Sequence, residues 1–371
     1  MRIGLPKEIK NHEYRVGLTP ASVRELVAHG HSVLVQAGAG LGIGASDEQY
    51  RAAGASLADS AADVFKSAEM IVKVKEPQKS EIAMLREGQI LYTYLHLAPD
   101  PEQTAGLVAS GAVCIAYETI TGANGGLPLL APMSEVAGRL APQVGAHTLM
   151  RAQGGRGMLL GGVTGVWAAR VVIIGAGVSG ANAAIIAQGM GAEVILLDRN
   201  VDRLRQMDLM FHGNVQTIAS NAFEIERAIA GADLIIGAVL VPGAKAPKLI
   251  TNEQVSRMKK GSVLVDIAID QGGCFEDSRP TTHAEPTYPV HDSVFYCVAN
   301  MPGAVPHTST YALTNVTLPY VLELAGRGWR DALRADAALA KGLNTYAGSV
   351  TNEPVAQAHE LPFASLADVL A

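Results

Sequence analysis

Three features of this sequence predict an α/β protein of two doubly wound parallel-sheet (Rossmann-like) domains, linked by long helices, with a cleft between them. Short β-branched apolar runs alternate with helical stretches along most of the chain, the pattern of a parallel sheet covered by helices. One strand–glycine turn–helix unit stands out between Ala169 and Asp198. Two long helical stretches, Ser134–Met150 and Thr308–Leu324, bracket the half of the chain that holds it. At 371 residues the chain is long enough for two cores. The expected division is a discontinuous domain of residues 1–128 and 307–371, and a second domain of residues 129–306.

In the first half, strands are expected at Arg2–Leu5, Ser32–Gln36, Met70–Val74, Ile90–Leu95 and Val113–Tyr117. Helices are expected at Pro20–Ala28, with proline in its first turn and Gly30 past its end, and at Pro101–Ala109, closed by Gly111. Shorter helical pieces fall at Ser46–Ala53, Ala61–Ser67 and Glu81–Arg86. Pro142 and Pro319 each suggest a kink or break inside a bridging helix. The glycine-dense stretch Gly154–Gly165 reads as a hairpin-like excursion or, less readily, as a phosphate loop. After Asp198 the alternation resumes, with strands at Val215–Ile218, Asp233–Leu240, Ser262–Ile269 and Val294–Val298. Helices at Asp202–Phe211, Ala222–Ile229 and Thr251–Met258 lie between them. Asp331–His359 reads as helix and then loop, returning to cover the first domain.

The Ala169–Asp198 unit carries a dinucleotide signature. Val171–Ile174 is an apolar run that suits a strand buried on both faces. In the turn that follows, Gly175 permits the sharp bend and Gly177 the close approach of a pyrophosphate. Gly180 allows the helix to pack tightly on the strand. Val178 and Ser179 open that helix, whose free N–H groups and positive dipole end suit phosphates. Asp198 ends the next strand 18 positions after Gly180, where a carboxylate accepts ribose hydroxyls and repels a 2′-phosphate. The acidic strand end favours NAD, although the neighbouring Arg199 leaves some room for NADP. Gly-rich composition, with Asn182 and Gln188 midway, argues against a membrane span here.

Other chemistry-bearing residues also sit at expected strand ends, where open α/β sheets bind ligands. Arg15 lies in the loop after the first strand, Lys75 follows Met70–Val74, and His96 follows Ile90–Leu95, together making a pocket for a small anion. Each has a plainer reading. Arg15 could be a solvated loop cation, one of Lys73 and Lys75 an exposed partner of Glu76, and His96 a satisfied core histidine. In the second half, Asp270 follows Val265–Ile269 at the same kind of edge, as a base or as a cap of the Gln271–Gly273 turn. Asp270 itself, Ile267 near it, and Asn300 and Met301 at the end of a further strand are candidate cofactor contacts.

Composition narrows the function. A formal charge of −6, from 29 basic and 35 acidic residues, offers no basic field for nucleic acid or an anionic membrane. Cys114, Cys274 and Cys297 are far apart, odd in number and without metal-ligand spacing, so the expectation is a reducing, cytoplasmic compartment and no metal. The N-terminal stretch carries no apolar core of the signal-peptide kind.

The order and spacing of several segments resemble bacterial alanine dehydrogenases along almost the whole chain. They are EYRVGLTP around Arg15, VKVKEP around Lys75, YLHLA around His96, VVIIGAGVSG, VDIAIDQGG around Asp270, DSRPTTH, and VANMPGAVPHTSTYALTN. A proline usual in the family is missing from Thr164–Ala168, which bears on a local loop and not on the activity. The resemblance implies NAD-linked, reversible oxidative deamination of L-alanine to pyruvate and ammonium, in a homohexamer. It implies substrate contacts from Arg15 and Lys75 and proton transfer by His96 and Asp270. It further implies cofactor contacts from Ser134, Val178, Asp198, Arg203, Ser220, Val239, Leu240, Arg279, Val298 and Met301. Those roles agree with the chemistry, since a guanidinium grips a carboxylate with two parallel hydrogen bonds and an imidazole exchanges protons near neutral pH. Related possibilities are the NAD(H)-binding subunit of a transhydrogenase, whose membrane complex this chain lacks a spanning segment for, and the saccharopine-forming lysine dehydrogenases. A non-catalytic NAD(H) sensor is another, but it leaves Arg15 and Lys75 without purpose.

Overall fold

The computed structural model describes residues 1–239 and 246–371. It divides into two compact units, Met1–Met133 with Val305–Ala371, and Ser134–Ala304. In chain order, unit 1 begins with β1 (Arg2–Leu5), β2 (Ser32–Gln36), β3 (Ser56–Ala58), β4 (Met70–Val72), β5 (Ile90–Thr93) and β6 (Val113–Ala116). Unit 2 holds β7 (Arg170–Ile174), β8 (Glu193–Asp198), β9 (Gln216–Ala219), β10 (Leu234–Gly237), β11 (Val263–Asp266), β12 (Thr287–Val290) and β13 (Ser293–Tyr296). The chain then returns to unit 1 with β14 (Leu343–Tyr346) and β15 (Ser349–Val350).

The sheet of unit 1 runs β15-β14-β6-β5-β4-β1-β2-β3, and that of unit 2 runs β12-β13-β11-β10-β7-β8-β9. Both are parallel apart from the edge pairings of β14, β15 and β12. In each, the strand order reverses beside the unit's first strand, between β1 and β4 and between β7 and β10. The crevice outside the carboxyl ends of such a pair is where open α/β sheets take ligands.

Local sequence accounts for these elements. β4, β5, β6, β10 and β11 are buried along their whole length, which is why they read as unbroken apolar runs. The helix Pro20–Ala28 starts where the Thr19 hydroxyl accepts the Ser22 N–H and Pro20 sits in the first turn. Such a cap contributes about 1 kcal/mol. Pro101–Ser110 is capped by Asp100 and ended by Gly111 at φ 65°. In unit 2, Val172, Ile174, Leu197, Ile235, Leu264 and Phe295 pack with the inner face of Ala222–Ile229 into one core.

Several expectations need correction. The bridging helices run unbroken through their prolines, Ala131–Thr148 through Pro142 and Pro306–Arg327 through Pro319. A proline removes one i→i−4 bond, and the surrounding turns are enough to carry the helix past it. The C-terminal segment does more than cover unit 1, because β14 joins the sheet antiparallel to β6. Strands expected to reach Val74, Leu95, Ile269 and Val298 end earlier, at Val72, Thr93, Asp266 and Tyr296. Ladder bonds from Lys73 N–H to the Tyr92 carbonyl and from Tyr94 N–H to the Val74 carbonyl still extend the β4–β5 edge. Val163 and Val166 pair as an antiparallel bridge, so Gly154–Gly165 leads into a hairpin tip, on which Val163, Val166 and Trp167 are exposed. Among the described residues no helix is long and apolar enough to cross a membrane.

Candidate active site

At the β1–β4 crevice of unit 1, each cation is held by a carboxylate. Arg15 is buried, and Glu13 grips one edge of its guanidinium, taking Nε at 2.7 Å and Nη2 at 2.6 Å. The Arg15 backbone N–H donates to the same Glu13, and Nη1 lies 3.0 Å from the Met133 sulfur. Burial opposes the charge on Arg15, but Glu13 outweighs it and the pKa is raised. Arg15 is therefore no solvated loop cation. Gly17, two residues on, passes so close to β4 that a Cβ there would lie 2.9 Å from the Val72 carbonyl oxygen.

Lys73 and Lys75 leave the end of β4 into different surroundings. Lys73 is fully buried between Glu8 at 2.9 Å and Glu81 at 2.8 Å. The other oxygen of Glu8 accepts the Val74 N–H at 2.7 Å and, more distantly, the Lys75 N–H, so this carboxylate shapes the backbone that carries Lys75. Lys75 Nζ lies 3.9 Å from Glu76, which also pairs with Lys10. Burial pushes the Glu76 carboxyl up, but Lys75 and Lys10 win and hold it at about 2. The expectation of a freely exposed partner for Glu76 fails, since the Lys75 side chain is only 12% exposed.

His96 lies three residues past β5, in a left-handed conformation at φ 50°. The Leu95 and His96 N–H groups both donate to Glu118, the second at 2.6 Å, which holds this turn. The ring stacks on Tyr94, with centroids 5.7 Å apart and planes 5° from parallel, while Nδ1 sits 4.0 Å from Glu118. With 41% of its side chain exposed, His96 is not a core histidine. Sequence reasoning missed Glu8, Glu13 and Glu118. Only Glu13 leaves a short-range signal, two residues before Arg15.

The β7–β10 crevice of unit 2 is built from backbone. Gly175 stands at φ 103°, and a Cβ there would lie 2.6 Å from the Ala238 carbonyl oxygen. A Cβ at Gly180 would fall 1.7 Å from the Gly175 carbonyl oxygen, so only glycine fits. Gly177, at the mouth of helix Val178–Gly189, faces open space. Asp198 accepts the Ala176 N–H at 2.7 Å and the Asn200 N–H at 2.8 Å, tying the turn to the end of β8. A carboxylate has about four acceptor positions, so capacity for ribose hydroxyls remains. Arg203 Nε donates to the Ala176 carbonyl, and the Ser220 N–H donates to the Asp198 carbonyl. Val239 sits beside Gly175. Leu240 lies outside the described residues.

Asp270 is not at a strand end. β11 stops at Asp266, whose side chain accepts the Ala268 N–H and turns the chain into the 3-10 turn Ile267–Gln271, in which Asp270 is exposed. Ile267 opens that turn and is half-buried. The Arg279 guanidinium lies 4.1 Å over the Tyr288 ring. Val298 is buried and bridges to Thr281, beyond the end of β13. Asn300, at φ 65°, and Met301, which opens another 3-10 turn, follow that bridge rather than ending a strand. Ser134 lies in the first turns of helix Ala131–Thr148. Among the described residues no group of His, Cys, Asp and Glu is placed to hold a metal.

Two reversed-order parallel sheets, one with a dinucleotide turn and one with a carboxylate-braced cationic edge, define a two-domain Rossmann-like dehydrogenase fold. Residues 4–137 match the model of the alanine dehydrogenase/PNT N-terminal domain and residues 141–353 that of the C-terminal domain, and the chain belongs to this family. It is 60% identical over all 371 residues, and over the whole of the relative, to an alanine dehydrogenase of Mycolicibacterium smegmatis. One from Halomonas elongata is 59% identical over 370 residues, again covering both chains fully. A solved L-alanine dehydrogenase structure superposes with a TM-score of 0.95 at 53% identity, covering 97% of this chain and 99% of the other. A transhydrogenase from Sinorhizobium meliloti gives 0.82 at 26% identity, covering 95% and 99%.

Proposed function

We propose that this chain is an NAD-linked enzyme that interconverts L-alanine and water with pyruvate and ammonium. The observation that carries this reading is the full-length, 60% identity to alanine dehydrogenases. The braced Arg15 and Lys75 supply the chemistry such a substrate needs.

The residues of unit 2 fit NAD. The Gly175–Gly180 turn has no room for side chains on its sheet side and is open at Gly177. Asp198 retains acceptor capacity for a ribose and would repel a 2′-phosphate. Val178, Ser179, Arg203, Ser220, Val239, Ile267, Arg279, Val298, Asn300, Met301, Ser134 and Leu240 are the further contacts proposed for it. When bound, NAD supplies the acceptor for the hydride on the alanine Cα.

Arg15 grips the substrate carboxylate and fixes which face of Cα is presented. Lys75 stabilises negative charge developing on the carbonyl or carbinolamine oxygen. Oxidation leaves an imine of pyruvate; water adds to its carbon, giving a carbinolamine, and the C–N bond then breaks to release ammonia. His96 and Asp270 move the protons of those two steps, Asp270 taking one from the attacking water and His96 passing one to the departing nitrogen. Reductive amination is the same sequence reversed. A homohexamer in the cytoplasm, with no nucleic-acid or membrane partner, completes the proposal.

An absorbance assay for NADH across a panel of amino acids, run with NAD and with NADP, tests it. L-alanine with NAD should give the highest kcat/KM. Tight NADH binding without turnover of any amino acid would replace this reading with that of a cofactor sensor.

A further inference from the structure

Asp266 is 0% exposed at the end of β11, and its carboxylate gathers groups from the loop that follows it. One oxygen accepts the Ala268 N–H at 3.0 Å, and the Cys274 thiol lies 3.5 Å from it. The other accepts the Cys274 N–H at 2.8 Å and the Ser278 hydroxyl. Partners two, eight and twelve residues downstream thus converge on a single side chain, with Asp270 inside the loop they close. Gly273 makes room for this, since a Cβ there would lie 2.7 Å from the second oxygen of Asp266. From outside, Lys248 Nζ donates to the Gly272 carbonyl at 2.7 Å and to the Phe275 carbonyl at 2.8 Å.

We propose that Asp266 is the positioning residue for Asp270, fixing the turn that presents it by binding both ends of the loop through Ala268, Cys274 and Ser278. The proposal rests on the reading above, in which Asp270 moves a proton. Each oxygen of the carboxylate accepts a backbone N–H, which can only donate, so an amide in its place would turn an N–H₂ toward a donor at whichever oxygen it replaced and open one end of the loop. Burial pushes the Asp266 carboxyl up, and the Ser278 and Cys274 hydrogen bonds pull it back. A base displaced by a fraction of an ångström loses rate while binding survives, because only the transition state depends on its position.

The test compares Asp266→Asn and Ser278→Ala with the wild type and with Asp270→Asn, measuring kcat, alanine KM and NADH Kd. Ser278→Ala keeps the carboxylate and serves if Asp266→Asn does not fold. The expected result is a kcat lower by about tenfold in Ser278→Ala and by more in Asp266→Asn, with NADH Kd changed by less than about twofold. In the Asp270→Asn background, assayed at high enzyme concentration, Ser278→Ala should cost less than about twofold further. Equal losses in both backgrounds, or an NADH Kd that rises in step with the fall in kcat, would show general loosening of the loop and overturn the proposal. Wild-type kcat in Ser278→Ala would overturn it as well. Wild-type kcat in Asp270→Asn would instead remove Asp270 from the chemistry, and this proposal with it.

Discussion

In unit 1 the chain leaves β1 into a loop bearing Glu8, Glu13 and Arg15; in unit 2 it leaves β7 into the Gly175–Gly180 turn and a helix. The strand order around both exits is the same. At the first, whole charges are brought together and each is matched: Arg15 by Glu13, Lys73 by Glu8 and Glu81, Lys75 by Glu76. At the second, the groups offered are backbone N–H dipoles, which need no counter-ion but require that the Cβ atoms of Gly175 and Gly180 be absent. On the proposed function, one topology thus supports two kinds of anion site. A small carboxylate needs fixed cations, and cations out of water need partners. A pyrophosphate can be met by backbone, and backbone needs glycine. The unit 1 edge should therefore respond to charge and pH, and the unit 2 edge to steric and cofactor changes.

The sharpest way to break that contrast is to remove a cation. Lys75→Met should lower alanine kcat/KM by about 10³-fold or more, read by NADH absorbance. A loss near tenfold would make Lys75 a bystander. Removing a brace should show in acid. Glu76 sits at about 2 against 4.5 when unperturbed, so its ionisation stabilises the fold above pH 4.5, and that contribution is lost as pH falls towards 2. The difference corresponds to roughly 3 kcal/mol. Urea unfolding of Glu76→Gln should show a correspondingly shallower decline through that window, and an unchanged decline would place the wild type's acid sensitivity elsewhere. His96→Ala should cut turnover by about 10²-fold if its ring moves a proton. The smallest effect belongs to unit 2: Asp198→Ala should weaken NADH by about tenfold and admit NADPH. Equal affinity for NADH in wild type and variant would leave Asp198 with only its tie to Ala176 and Asn200.

The parallel strands and the glycine turn were legible because both are local: buried runs of β-branched residues, and glycines at fixed offsets from a strand. The helix start at Pro20 was legible through the proline in its first turn, and the structure adds side-chain caps from Thr19 there and from Asn221 at Ala222. β14 was not, since LNTY carries little apolar signal and becomes a strand only through β6. The turn at Asp266 looked like more strand because Ile267 and Ile269 continue an apolar run, and only the side chain's bond to Ala268 shows the chain bending away. The braces of unit 1 were hidden for another reason. Glu8 and Lys73 stand 65 residues apart, and Glu118 reaches His96 across 22. Charge pairs between such positions exist only once the sheet has brought them together.

The central claim is that substrate and cofactor are held by separate devices, one on each unit. NADH titration of Lys75→Met by calorimetry tests it most directly. The account predicts an NADH Kd within about twofold of wild type in a variant that has lost alanine turnover. A Kd that rises in step with the loss of turnover would contradict it.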